Sequence, residues 1–281
     1  MDEFSDKVAV VTGAGSGIGR GMALRFAREG MRVAVADIEQ AALTETVAAV
    51  TAAVPDAQLL AQVVDVTSAM QVGALADSVF HEWGSVDLLC NNAGVFVGGF
   101  LWERSIEDFE FVLGVNLYGI LHGIRAFVPR MIAQGTEAHV VNTSSVAGLL
   151  GSPYAGPYGI SKFASFAATE SLAGDLIATG SQVRAHVLCP GSIRTRIAES
   201  ERNRPPELSS ARTEDQDFVE GFLADTVAGG MEPEEVAGIV LDALGFDDRF
   251  LILTHPEFSQ QILARGTSLA ELHLPAIPDV G

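Results

Sequence analysis

Alternation is the sequence feature that most constrains this fold. Short apolar runs at residues 8–11, 32–36, 62–66, 87–90, 139–142, 183–188 and 250–253 alternate with longer segments of helical character at 18–29, 39–54, 68–83, 105–133 and 158–179. Near-continuous apolar runs suit parallel strands covered on both faces. Alternating strands and helices then build a doubly wound α/β sheet, because crossovers between parallel strands are right-handed. The expected architecture is a parallel sheet of seven strands in the order 3-2-1-4-5-6-7, with helices on both faces. Ser105, followed by Glu107 and Asp108, reads as a helix start with acids at the favourable end of the dipole. No linker-like composition divides residues 1–281, so one domain is expected, with an insertion at 191–230 and a tail at 254–281. Phe218 and Phe222 stand one turn apart in that insertion, which predicts a helix there.

Composition narrows the partners. A net charge of −19 repels nucleic acid phosphates and anionic lipids, so neither nucleic acid nor membrane is an expected partner. No uninterrupted apolar run reaches the roughly 18 residues of a membrane span. The first residues, MDEFSDK, are acidic, the reverse of a secretory signal. Cys90 and Cys189 lie in apolar runs and read as buried thiols in a reducing, cytoplasmic setting. The six histidines show no metal-ligand spacing, and no metal is expected.

The first strand runs directly into Thr12-Gly13-Ala14-Gly15-Ser16-Gly17-Ile18-Gly19 and then into a helix. A glycine turn in this position lets backbone N–H groups and a helix N-terminus face a pyrophosphate. The second strand ends at Asp37, followed by Ile38. A carboxylate there accepts from ribose hydroxyls and repels a 2′-phosphate, which points to NAD over NADP. Asp37 could also cap the helix that follows. Positions 14–18 hold no Arg or Lys, and Arg20 lies further along the helix.

A third pattern joins these: Ser145 in a Gly- and Pro-containing loop, then Tyr158 and Lys162 one helical turn apart. With Asn91-Asn92-Ala93-Gly94 after the fourth strand, the sequence resembles the short-chain dehydrogenase/reductase family, in the branch with TGxxxGxG and YxxxK motifs. The resemblance runs from about residue 7 to 195, and less specifically to 253; it implies a Rossmann-like fold. Carried over position by position, it implies that Asn116, Ser145, Tyr158 and Lys162 form the catalytic set. It assigns Gly13, Gly15, Ser16, Gly17, Ile18 and Gly19 to the pyrophosphate, Asp37 and Ile38 to the adenosine ribose, and Asp65 and Val66 to the adenine. Asn92, Ala93 and Gly94 would line the cofactor. Pro190, Gly191, Ile193 and Thr195 would embrace the nicotinamide, whose ribose Lys162 would bond beside Tyr158. Ser145, thirteen residues before Tyr158, fits the catalytic serine better than Ser144, and Tyr154 reads as pocket lining.

Physically, interconversion of an alcohol and a ketone needs one hydride and one proton to move, and the protein manages the proton. Tyr158 would be the acid/base. An ammonium at ~5 Å favours the phenolate by ~3 kcal/mol at an effective dielectric of ~20, so Lys162 is expected to lower the tyrosine pKa. Ser145 would donate to the substrate oxygen, and Asn116 would hold a water beside Lys162. Phe96, Val97, Phe100 and Trp102 could wall a hydrophobic pocket or pack the core, and Phe218 and Phe222 read as a lid. The tail from His255 is similar to family members acting on bulky aromatic and alicyclic substrates. The expected function is NAD-dependent interconversion of a secondary alcohol and a ketone. An NADP-dependent carbonyl reductase and a non-catalytic dinucleotide-sensing regulator are the alternatives. Family membership also implies a homo-oligomer, a tetramer or a dimer, in which Ala164, Ala167, Ala168 and Ala173 would permit close helix packing.

Overall fold

The structure, a computed structural model, describes residues 3–247 and 249–276, so positions 277–281 of the expected tail lie outside the described residues. Within them, strands β1 (Val8–Thr12), β2 (Arg32–Asp37), β3 (Leu59–Val63), β4 (Leu88–Asn91), β5 (Ala138–Thr143), β6 (Val183–Cys189) and β7 (Leu251–Leu253) pair in parallel. Their order is β3-β2-β1-β4-β5-β6-β7, as the alternation predicts.

Side-chain alternation explains how one sheet carries two cores. From β1 and β2, Ala9, Val11, Val33 and Val35 face one side and join Met22, Phe26, Val240 and Leu244. Val8, Val10, Ala34 and Ala36 face the other and join Leu75, Val79, Phe127 and Met131. The first face is covered by helices α1 (Gly17–Arg28), α2 (Gln40–Ala53) and α8 (Pro233–Asp242). The second is covered by α3 (Ala69–Trp83), α5 (Gly119–Ala133) and α6 (Gly156–Ala178). α8 is a helix that the sequence reading did not assign.

α4 (Ile106–Leu113) continues through a π-helical turn, Gly114–Tyr118, into α5. It starts at Ser105, where the sequence pattern predicts a helix start, and Ser105 and Asp108 form a capping box that satisfies the N–H groups of these two residues. By length and composition the continuous stretch Ile106–Ala133 could cross a membrane, although its apolar runs are short and interrupted; its most apolar part is 44% buried within the protein. The insertion contains α7 (Glu214–Ala228), and the tail contains α9 (Phe258–Ala270).

One strand differs from expectation. β3 spans Leu59–Val63, three residues before the apolar run at 62–66. It is the edge strand, with alternating half-buried and exposed residues, so it lacks the continuous apolar signature. Val64 and Val66 are apolar because they are buried in the loop that follows, beside the second core.

A second difference concerns histidines. His139 on β5 and His186 on β6 are both buried, with Nδ1 of the first 2.9 Å from Nε2 of the second. Burial and the neighbouring ring push His139 below its usual range. The pair is brought together by strand register, which sequence spacing does not reveal. Among the described residues, no group of three or more potential ligands is placed to hold a metal ion.

Candidate active site

The strand order reverses between β1 and β4, and there the carboxyl ends of the strands open into a cavity of about 870 Å³. Crevices at this position are where open α/β sheets bind ligands. One end of the cavity is floored by the glycine turn. Gly13 has φ +65°, and a Cβ there would lie 2.7 Å from Ala93 Cα, so the turn and the β4 loop approach as only glycine allows. A Cβ on Gly19 would collide with the Gly13 carbonyl, so Gly19 serves the packing of α1 beneath the turn.

α1 begins at Gly17 with Ser16 as its N-cap, and Ser16 makes no side-chain cap bond. Ser16, Gly17 and Ile18 line the cavity. The helix therefore presents first-turn N–H groups that its own chain does not cap, which fits an anionic pyrophosphate. Arg20 is held away by bonds to Gly15 O, Ala42 O and Thr46 Oγ1, and by Glu45.

Asp37 stands at the end of β2. Its Oδ2 accepts from Gly15 N at 2.8 Å and its Oδ1 from Glu39 N at 2.9 Å. The N-cap of α2 is Glu39, so Asp37 does not take the capping position; it braces the glycine turn and still faces the cavity beside Ile38. Asp65 and Val66 line the same end, with Asp65 Oδ1 accepting from Thr67 N and Oγ1. Asn92, Ala93 and Gly94 form the floor toward the middle. Thr12, which the sequence reading passed over, fixes that floor: its hydroxyl accepts from the N–H groups of Asn92 and Ala93 at 2.9 and 3.2 Å.

Ser145, Tyr158 and Lys162 meet at the centre. Ser145 ends the β5 loop, and its Oγ accepts from Ala147 N at 3.1 Å, leaving the hydroxyl proton to donate. Ser144 Oγ donates instead to Lys162 O at 2.7 Å, which supports the choice of Ser145. Tyr158 and Lys162 share a face of α6, with Lys162 Nζ 5.6 Å from the tyrosine ring centre and donating to Thr143 O at 3.0 Å. Pro190, Gly191, Ile193 and Thr195 also line the cavity, with Pro190 O accepting from Val146 N at 3.0 Å.

Electrostatics here differ from the sequence expectation. Burial pushes the Tyr158 phenol above its usual value, and a hydrogen bond with Ser145 pulls it back only in part. Burial also brings Lys162 down to about 8. The reason is desolvation: Lys162 is buried, so the lysine charge that was to stabilise a phenolate is itself disfavoured.

Asn116 lies behind the cavity wall, in the π-helical turn, a feature frequent at functional sites. Its Oδ1 accepts from Val95 N, and its Nδ2 donates to Val95 O and Ser161 Oγ, each at 2.9 Å. The amide is thus held by protein groups on both sides, and its direct work is to fix the strand-end loop to α6. Gly15 and Gly19 likewise stand outside the lining.

The other end of the cavity is apolar and aromatic. Phe96 packs on Tyr158 at 4.9 Å, and a row of rings runs Trp102–Phe100–Tyr154–Phe218 at 4.8, 4.8 and 5.7 Å. Phe96, Tyr154, Phe218 and Phe222 line the cavity, as does Phe258 of the tail, while Val97 is core and Trp102 largely exposed.

A doubly wound sheet with a glycine turn, an acidic residue at the end of β2 and a serine–tyrosine–lysine cluster defines a dinucleotide-dependent oxidoreductase class. Residues 7–206 match the family model for short chain dehydrogenase, and the chain belongs to that family. A short-chain dehydrogenase/reductase from Burkholderia phymatum, solved in complex with NAD, is 41% identical and superposes with a TM-score of 0.95 over 99% of both chains. A CLA biosynthesis dehydrogenase/reductase from Lactiplantibacillus plantarum is 34% identical over 93% of this chain and 92% of its own. A 1-deoxy-11-beta-hydroxypentalenate dehydrogenase from Streptomyces exfoliatus is 38% identical, covering 89% of this chain and 84% of its own.

Proposed function

We propose that the protein is an NAD-dependent oxidoreductase that interconverts a secondary alcohol and a ketone, with Tyr158 as general acid/base. The observation that carries this reading is the meeting of Ser145, Tyr158 and Lys162 between a glycine-turn end and an aromatic end of one cavity. NAD is favoured by Asp37, whose carboxylate faces the cavity while Arg20 is tied to the α2 side. The uncapped first turn of α1 and the close approach of Gly13 to Ala93 fit a pyrophosphate. When bound, the dinucleotide supplies the site that accepts or gives the hydride.

The chain's own groups handle the proton. Ser145, its oxygen already accepting from Ala147 N, donates to the substrate oxygen where negative charge develops. Tyr158 Oη delivers the proton in reduction and removes it in oxidation. With its pKa raised by burial, Tyr158 rests as the phenol, the form that serves ketone reduction directly. Lys162, anchored on Thr143 O, keeps its Nζ beside the tyrosine and available to ribose hydroxyls. Asn116 positions the wall on which these groups sit. The aromatic end selects an apolar, fairly bulky substrate.

Free, buried Cys90 and Cys189 accord with a reducing, cytoplasmic setting. Exposed Ile160 and Ile177 on α6 accord with a homo-oligomer, and the single seven-stranded sheet accords with one domain. The functional reading is tested by following NADH formation from NAD⁺ with a panel of secondary alcohols, and ketone reduction with NADH. Turnover of bulky apolar members is expected. Highest kcat/KM with small polyols would overturn the substrate class, and equal rates with NADPH and NADH would overturn the cofactor choice.

A further inference from the structure

The insertion read as a lid is bolted to the body by buried charge. The Arg104 side chain, just before α4, is fully buried, and neither it nor Asp215 lines the cavity. Its Nη1 donates to Gln216 Oε1 at 2.9 Å, and its Nη2 donates to Thr213 Oγ1 and lies 3.3 Å from both Asp215 oxygens. All three partners belong to the start of α7. Asp215 Oδ2 also accepts from Phe100 N at 2.6 Å. Alongside, Asp108 Oδ1 accepts from Arg204 Nη2 at 3.0 Å and from Ser210 Oγ at 2.7 Å, and Arg204 is chelated by Glu201 with both bonds at 2.7 Å.

A buried ion pair that loses one partner leaves the other charge stranded out of water, so such a joint resists opening. At its far end α7 is tied by Ser192 Oγ to Thr226 O and by Arg194 Nε to Ala228 O. α7 is therefore clamped at both ends, and between the clamps lie Phe218 and Phe222 against the cavity. The Asp215–Phe100 bond also holds the backbone of Phe100, whose ring meets Tyr154 in the row that runs on to Phe218.

We infer that Arg104 is a positioning residue: through Asp215 and Gln216 it fixes α7 as a rigid aromatic wall, and so sets the preference for bulky over small substrates without touching either. This rests on the alcohol–ketone reading above. The test compares wild type with Arg104→Met and with the milder Asp215→Asn, should the first fail to fold. Benzhydrol and isopropanol are the alcohol probes, NADH binding is followed by fluorescence, and hydrogen exchange is measured over residues 214–228.

The expected result is amide exchange in that segment at least about tenfold faster, as a loosened local unit shows. KM for benzhydrol rises by a similar factor, while kcat/KM for isopropanol and the Kd for NADH stay within about twofold. Unchanged exchange in a folded variant, or an equal fall for both alcohols, would overturn the inference. If wild type oxidises neither alcohol, the functional reading fails, and exchange together with NADH affinity still decides whether Arg104 fixes the wall.

Discussion

The two ends of the cavity are built by different means. At the glycine-turn end, contacts come from strand ends and βα turns: Gly13 against Ala93, Gly15 N on Asp37, and the N–H groups of Asn92 and Ala93 on Thr12. Backbone groups dominate, and sheet register sets the distances. At the aromatic end, side chains from residues 96–104, 145–158, 200–227 and 258–261 converge, and their joints are side-chain pairs such as Arg104–Asp215 and Asp108–Arg204. An end made of backbone tolerates little change in sequence, whereas an end made of side-chain pairs can be rebuilt one pair at a time. A constant ligand at the first end and a variable one at the second would follow from that construction.

Tyr158→Phe should give the largest effect, because Tyr158 stands at the seam where the two ends meet, its ring packed on Phe96 and its hydroxyl beside Ser145. Loss of the Oη proton relay is expected to lower kcat by about 10²–10⁴, the usual worth of positioned acid/base catalysis. Ring packing on Phe96 survives the substitution, so NADH affinity and thermal stability should hold. Loss of NADH binding in parallel with turnover would show that Tyr158 belongs to the nucleotide end.

The same division explains what the sequence revealed. The glycine turn, Asp37 and the strand order were legible because they depend on local chemistry and on alternation along the chain. Ser145 could be chosen over Ser144 by spacing, and the structure gives each hydroxyl a separate partner. β3 was misplaced because an edge strand has no continuous apolar signal. The His139–His186 pair was missed because register joins residues far apart in the chain. The Arg104 network escaped for that reason too: nothing in an isolated Arg or Asp announces a partner more than a hundred positions away. The expected drop in the Tyr158 pKa failed differently, since it counted attraction to Lys162 without the desolvation that disfavours the lysine charge and raises the phenol.

That cost yields the second prediction. Lys162 has a pKa near 8 when folded, against 10.5 ordinarily. Below about 8 it is charged in both states, and the fold bears the full penalty of holding it. Between about 8 and 10.5 the unfolded chain binds more protons, so stability contributed by this group rises with pH and levels off above that range. Relative to Lys162→Met, wild type should gain about 3 kcal/mol across this window. Urea unfolding of both proteins at a series of pH values measures it. Parallel stability profiles would mean that Lys162 is solvated, and that the seam is wetter than its geometry implies.

The smallest expected effect belongs to the counterpart, at the nucleotide end, of Arg104→Met. Asp37→Asn keeps the size of the side chain and one carbonyl oxygen to accept a backbone N–H, but it removes the charge and one good acceptor. Bonds to charged groups are the stronger kind, so NADH affinity should fall about tenfold, close to 1.4 kcal/mol. NADPH affinity should fall less or rise, since its extra phosphate no longer meets a carboxylate. The hydrogen bonds of Asp37 go to Gly15 and Glu39 and not to α7, so KM for a bulky alcohol at saturating NADH or NAD⁺ should stay within about twofold. Isothermal titration with both dinucleotides, set beside substrate kinetics, reads the two ends separately. A shift in substrate KM as large as the shift in NADH affinity would show that the ends are coupled, and that the rigid wall transmits strain from the nucleotide side.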